Sequence, residues 1–293
     1  MRIRYPFNPW KTLASLAIAS IAWTAVPASA APNSGRLSFS FTNDFTTAYF
    51  FRGILQERYG LIMQPYGEVN VALYTAEEND PGPFTYVGAF GGIWMSWHSE
   101  KTLADGSGPS NLYEVDYYGG LKFGLWNALE LKTGYVAYTS PNGGFKTIQE
   151  VLLSAGLDDS QWLGAFALNP AAELAIETDR TAFGPEKGQY ASFSIRPSYT
   201  IEAIENYPIE IAMPCMVGVG LDDYYESENS QDRFGYFRGG LTASVPLAFI
   251  PEDFGSWSVS AGAAVYAFGS KLQRANLGDT PWVVGTWSIS MSY

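Results

Sequence analysis

Apolar and polar residues alternate along most of this chain with a period of two, and turn-forming residues interrupt the alternation at regular intervals. Near the carboxyl end, Val283, Gly285, Trp287, Ile289, Met291 and Tyr293 share one parity, whereas Val284, Thr286, Ser288, Ser290 and Ser292 share the other. Successive side chains of a strand point to opposite faces, so this segment has an aromatic-apolar face and a hydroxyl-bearing face. Residues 112–124 are as regular, with Tyr113, Val115, Tyr117, Leu121 and Phe123 opposing Glu114, Asp116, Tyr118 and Lys122. The pattern predicts about twelve strands. The first begins at Arg36, and the rest cover about 60–74, 84–98, 112–124, 128–139, 147–157, 162–178, 189–201, 208–221, 233–247, 255–269 and 283–293. Pro170 weakens the seventh, because proline donates nothing to a strand ladder.

Composition says which kind of β protein this is. Hydrophobic residues make up 47% of the chain and charged ones only 16%, against roughly 25% charge in soluble domains. Past the amino-terminal region no run of about 18 apolar residues occurs, so no membrane-spanning helix is expected. Apolar residues that are plentiful yet interleaved suit an all-β, transmembrane, antiparallel up-and-down β-barrel, in which every second residue faces hydrocarbon. A secreted soluble β protein is the plainer alternative. In lipid every backbone group must be paired, so the sheet would have to close. The predicted connections fit that topology: those at 125–126, 158–161, 202–207 and 248–254 are compact periplasmic turns. Those at 99–111, 179–187, 222–232 and 270–280 are longer, polar external loops, while 75–83 is long for its side. The last strand, with Met291 and Tyr293, resembles the terminal signature of bacterial outer-membrane barrels read by the barrel assembly machinery, although Ser288 stands where that pattern prefers Gly.

The first thirty residues read as a secretory signal peptide. Arg2, Arg4 and Lys11 precede an apolar run from Leu13 to Val26, and Ala28-Ser29-Ala30 supplies the small residues of a cleavage site. Cleavage after Ala30 would leave one barrel domain, residues 31–293. It would remove three of 17 basic residues and none of the 29 acidic ones, taking the net charge from −12 to −15. That charge argues against nucleic acid as a partner and leaves outer-membrane lipid and small solutes or ions. The single cysteine, Cys215, excludes an internal disulfide framework and sits on an apolar parity.

On the polar parity stand the acids Glu68, Glu114, Asp116, Glu130, Glu150, Glu173, Glu177 and Glu210 and the bases Lys122, Lys132, Arg196 and Arg238. Such a set either lines a wet pore or pairs into a network that fills the barrel. If the pore is open, the excess of acids would favour cations. Twelve strands lie between barrels filled by side chains and wide porins, which leaves room for a narrow path. Trp126, Trp162, Trp257, Trp287 and Tyr293 fall near predicted strand ends, as interfacial girdles do. The run 222–226 carries oxygen ligands for a divalent cation, but it reads more simply as a solvated external loop. Gly91-Gly92 and Gly119-Gly120 lie within strands and are packing or bulge positions. Enzyme chemistry has little support: His98 is the one histidine, at the end of the third strand beside Ser96 and Ser99, and a strand-end histidine is usually a rim residue. No nucleotide, metal or organic cofactor is implied.

One segment has a family resemblance. Tyr49-Phe50-Phe51-Arg52-Gly53-Ile54-Leu55-Gln56 resembles the opening motif of the TorF-type family of outer-membrane porins, an Asp-Tyr-x-x-Arg-Gly-x-Ser-Gln run. Ala48 replaces the Asp and Leu55 the Ser. Residues 113–120, the run Tyr138-Thr139-Ser140-Pro141, and Glu150 add to the likeness. The resemblance implies an outer-membrane barrel of porin type, with Arg52 near the mouth, balanced by Glu114, Asp116 or Glu150. Alternatively, Arg52 pins its own loop.

Overall fold

A computed structural model describes residues 36–77, 82–102, 108–183, 186–202, 207–222, 224–225 and 233–293. The expected signal peptide lies outside these, as do Asp223 and Glu226 of the acidic run. In chain order the elements begin with β1 (Leu37–Thr46), β2 (Tyr49–Phe51), β3 (Ile54–Glu57) and β4 (Ile62–Thr75). There follow β5 (Phe84–His98), β6 (Asn111–Leu125), β7 (Leu129–Thr139), β8 (Ile148–Leu157), the short helix α1 (Ser160–Leu163) and β9 (Ala171–Asp179). The second half contains β10 (Gln189–Ile195), β11 (Ser198–Ile201), β12 (Ile209–Ala212), β13 (Cys215–Gly220), β14 (Phe234–Pro246), β15 (Ser256–Phe268), the helix α2 (Ser270–Ala275) and β16 (Trp282–Ser292).

Apart from β2 and β3, all strands join one antiparallel sheet that closes on itself, because β1 pairs with β16 from Ser40↔Ser292 to Thr46↔Thr286. Phe39 and Tyr293 exchange both backbone hydrogen bonds at 2.8 Å, so the final residue completes the seam. Two staves are interrupted: β10 and β11 by Arg196-Pro197, and β12 and β13 by Met213-Pro214. Proline has no N–H to give the ladder, so the sheet breaks there and resumes beyond it. Counting each interrupted pair as one stave, the barrel has twelve, in sequential order.

A single-layer wall has nothing packed on its outside, so a buried wall side chain faces the interior. By that criterion the two faces differ sharply. Phe39, Val71, Leu121, Phe193, Leu241, Val259 and Val283 are exposed outside. Every Asp, Glu, Lys and Arg within the barrel strands is buried or half-buried, except Asp179 at the terminus of β9. Cys215 is half-buried.

Three expectations need correction. The seventh strand starts at Ala171, not near Trp162, because α1 and a 3-10 turn at Gly164–Phe166 occupy the preceding connection. The Asp158 carboxylate accepts from Ser160 N at 2.9 Å, and that of Asp159 from Leu168 N and Asn169 N at 3.0 and 2.9 Å. These local bonds offer the backbone an alternative to a ladder, and the connection runs over 158–170 instead of 158–161. Second, Tyr113 faces inward together with Glu114. The partners jump from Ser96↔Glu114 to Trp97↔Leu112, so Tyr113 is the extra residue of a bulge that shifts parity near the strand end. Third, Trp287 lies mid-strand in β16, stacked on Phe45 of β1 at 4.0 Å, while Trp126, Trp162 and Tyr293 are exposed at the end with the compact turns.

Candidate functional site

The interior is divided into two halves of different chemistry. Toward the compact turns, the wall carries paired charges. Lys122 of β6 meets Glu68 of β4 at 2.7 Å and also reaches Asn70. Lys132 and Glu130 of β7 pair at 2.8 Å, and Arg196 meets Glu210 at 2.5 Å. Ser258, Ser260, Ser288 and Ser290 are buried on β15 and β16, with Thr42 Oγ1 donating to Ser290 Oγ at 3.0 Å.

Toward the long loops, the interior is a packed aromatic core, and its centre is the connection between the first two staves. Residues 49–57 fold back inside as the hairpin of β2 and β3, a two-stranded sheet with no ladder to the wall. Phe51 and Ile54 are paired across a two-residue turn in which Arg52 and Gly53 both have positive φ, 46° and 81°. Such a turn matches strand twist but requires the left-handed region twice, which Gly accepts freely and Arg does not. A Cβ on Gly53 would also lie 2.7 Å from Tyr236 Cδ1 and 2.8 Å from Leu272 Cδ1. Isolated hairpins are marginal in water, so packing must hold this one. Phe50 packs on Tyr266, Phe268 and Trp282 of β15 and β16, Phe51 on Tyr138, and Tyr49 on Trp94. Burying each large apolar side chain contributes about 1.5–3 kcal/mol.

Arg52, expected at a channel mouth, is instead at the hairpin tip and only 1% exposed. Its Nη1 and Nη2 donate to the two oxygens of Glu150 at 2.6 and 2.7 Å. Nη1 also donates to Tyr224 Oη at 3.0 Å and Nη2 to Tyr138 Oη at 3.3 Å. The guanidinium lies 4.5 Å from the centre of the Tyr190 ring, with Phe51 and Tyr224 at 5.1 and 5.5 Å. Burial is the largest single influence and works against its charge, but the Glu150 carboxylate, together with Tyr224 and Tyr138, outweighs it and holds the group protonated, above its ordinary value. In the adjoining loop, burial pushes the Tyr224 hydroxyl pKa upward, so it remains a neutral partner.

The rest of the hairpin is tied as closely. Tyr225 Oη donates to Arg52 O at 2.7 Å. After α2, Asn276 accepts from Leu55 N at 2.9 Å and donates to Gly53 O at 2.7 Å. Tyr49 Oη donates to Glu114 at 2.8 Å, and Tyr113 Oη to Gln56 Oε1 at 2.7 Å. At the foot, Glu57 accepts from Arg58 N and Tyr59 N, both at 2.7 Å, and burial raises its carboxyl pKa against those bonds.

The expected wall residues are therefore spread over both halves. Glu114, Asp116 and Glu150 lie with Arg52 in the aromatic half, whereas Glu68, Lys122, Glu130, Lys132, Arg196 and Glu210 lie in the polar half. Arg238 stands over Tyr266 at 5.6 Å. Glu177 is a loop tie, accepting from Ala182 N and Gly188 N at 2.5 and 2.7 Å. Asp116 is fully buried, and its carboxyl pairs with that of Glu114 two residues away on the same strand.

His98 is not at the rim but fully buried, with Nε2 2.7 Å from Ser96 Oγ and Nδ1 3.9 Å from Glu57 Oε2. Its ring stacks on Tyr113 at 5.0 Å, and Gln64 Nε2 donates to Ser96 Oγ at 3.1 Å. The 3.9 Å separation is too long for a hydrogen bond, and the serine is wholly enclosed.

Sequence reasoning missed the hairpin as a plug. A signal was present: three consecutive aromatics, Tyr49-Phe50-Phe51, break the period of two within a connection, where a solvated loop has no use for them.

No family model and no curated protein matches this chain. Among solved structures it is similar to the NanC porin, at 9% identity over 87% of this chain and 98% of that one, with a TM-score of 0.40. An outer-membrane channel from Pseudomonas putida F1 gives 12% identity over 88% and 94%, TM-score 0.44. The transport unit of the autotransporter AIDA-I from Escherichia coli gives 12% over 89% and 91%, TM-score 0.42. Superpositions this loose carry no assignment of the site.

Proposed function

We propose that this barrel spans the bacterial outer membrane and passes small hydrophilic solutes or ions by diffusion, with its external half closed by the inserted hairpin. One observation carries the reading: the element filling the external half is a separate two-stranded sheet, so it can leave without breaking a wall ladder. The other half is already lined by charges and hydroxyls. The exposed face of the strands, charged only at Asp179 on the terminus of β9, supports lipid as the surrounding medium, and the last strand is the element offered to the assembly machinery. Acids exceed bases on the inner wall, so a cation preference is expected of the open state. No catalytic role is assigned to His98 or Ser96, and no cofactor enters. The resemblance of residues 49–56 to the TorF-type porins agrees with this reading.

The test is single-channel recording in planar bilayers. The native protein should conduct rarely or in small steps, and a variant with residues 48–57 replaced by a Gly/Ser linker should conduct continuously. The second reading, a non-conducting barrel for envelope structure or partner docking, is favoured by the dense aromatic core. It wins if the linker variant assembles and stays silent.

Lipid exposure has its own measurement. Leu241, mid-strand on β14 and exposed, should cost about 2–4 kcal/mol when replaced by Arg near the bilayer midplane. Equilibrium unfolding from liposomes reads that loss, and a variant as stable as the parent would remove Leu241 from the hydrocarbon.

A further inference from the structure

We infer that the cage around Arg52 is a binding site for guanidinium-bearing cations, and that Arg52 is its resident occupant, a built-in stand-in for solute. The inference rests on the channel reading above and names the solute class for it. Apart from the Phe51 ring, the walls of the cage do not belong to the hairpin. Tyr138, Glu150 and Tyr190 stand on β7, β8 and β10, and Tyr224 comes from the connection after β13. These groups satisfy a guanidinium in the way a receptor would. One carboxylate takes both terminal nitrogens in a fork, two hydroxyls accept the remaining terminal donors, and ring faces cover the plane.

Anchoring a hairpin does not require this. A buried ion pair costs desolvation on both sides, and well-packed apolar residues commonly do as well or better for stability. What the cage adds is chemical selection. An ammonium has no planar fork for the carboxylate, so lysine-like cations fit it poorly. Arg52 Nε, the nitrogen on the alkyl side, has no hydrogen-bond partner among the described residues. The walls therefore read only the terminal end of the group, which any alkylguanidinium presents.

Seating of the hairpin and occupation by a free guanidinium are mutually exclusive. A solute that binds the cage competes with Arg52 and shifts the population toward the hairpin-out, conducting state.

The test begins with Arg52→Gly, which removes the side chain and relieves the positive φ in one step. Methylguanidinium chloride titrated into this variant in detergent should bind by calorimetry and raise its Tm, whereas methylammonium chloride should do neither. Arg52→Gly/Glu150→Gln should bind at least about tenfold more weakly, the loss expected when a charged partner is neutralised. Equal response to both cations, or indifference to the Glu150 change, overturns the inference. If Arg52→Gly does not assemble, the native protein decides. Agmatine added at the external side should accelerate hydrogen exchange across residues 49–57, and unchanged exchange overturns it. Conductance separates the two proposals: a variant that binds methylguanidinium yet never conducts sinks the channel and leaves the site standing.

Discussion

A Glu150→Ala variant should lose about 3–5 kcal/mol from the seated hairpin, because it leaves the Arg52 guanidinium buried without the carboxylate that both its terminal nitrogens bond. The wall itself should survive. Val136↔Glu150 and Glu150↔Glu177 are backbone pairings that alanine keeps, and β2–β3 shares no ladder with the staves. The loss therefore takes the form of hairpin release, read as faster hydrogen exchange in residues 49–57 and more frequent conducting events. A double-mutant cycle isolates the pair. Arg52→Gly/Glu150→Ala, compared with each single variant, removes both charges together and should recover most of the loss. If Glu150→Ala alone leaves exchange and conductance unchanged, the fork does not hold the hairpin.

Asn276→Ala should have an effect of the same order. Asn276 is fully buried and bridges the turn from outside, accepting from Leu55 N and donating to Gly53 O. Alanine orphans one donor and one acceptor at about 1–3 kcal/mol each, a combined cost of about 2–6 kcal/mol for the seated state. Asn276→Asp keeps the acceptor for Leu55 N but turns a carboxylate oxygen toward Gly53 O, so it should recover only part. The Leu55 amide reports directly: its exchange should quicken most with Ala and less with Asp. Equal protection in all three proteins would show that apolar packing alone seats the hairpin.

Much of the barrel was legible because alternation is a local property. Residues 84–98 were delimited by their own pattern and coincide with β5, and residues 189–201 span β10 and β11 including the Pro197 interruption. The misses have local physical causes. Asp158 and Asp159 capture backbone N–H groups and keep 158–170 out of the ladder. A single bulge turns Tyr113 inward, since a parity rule holds only while the ladder stays in step. Buried charges were recognisable as inward-facing, but not which of them would meet. Glu68 and Lys122 are separated by a whole intervening stave, and Arg52 and Glu150 by nearly a hundred positions of chain.

The sequence by itself determined the strands, their number, the up-and-down order and the apolar exterior, because each depends on the alternation of neighbouring side chains and on the turns between them. Only the tertiary structure decided what fills the barrel. Whether residues 49–57 extend outward or fold within depends on contacts from seven residues in six different places: Trp94, Tyr138, Glu150, Tyr190, the adjacent Tyr224 and Tyr225, and Asn276. Those groups converge only after the wall has closed, and closure itself depends on β1 meeting β16 from the far end of the chain.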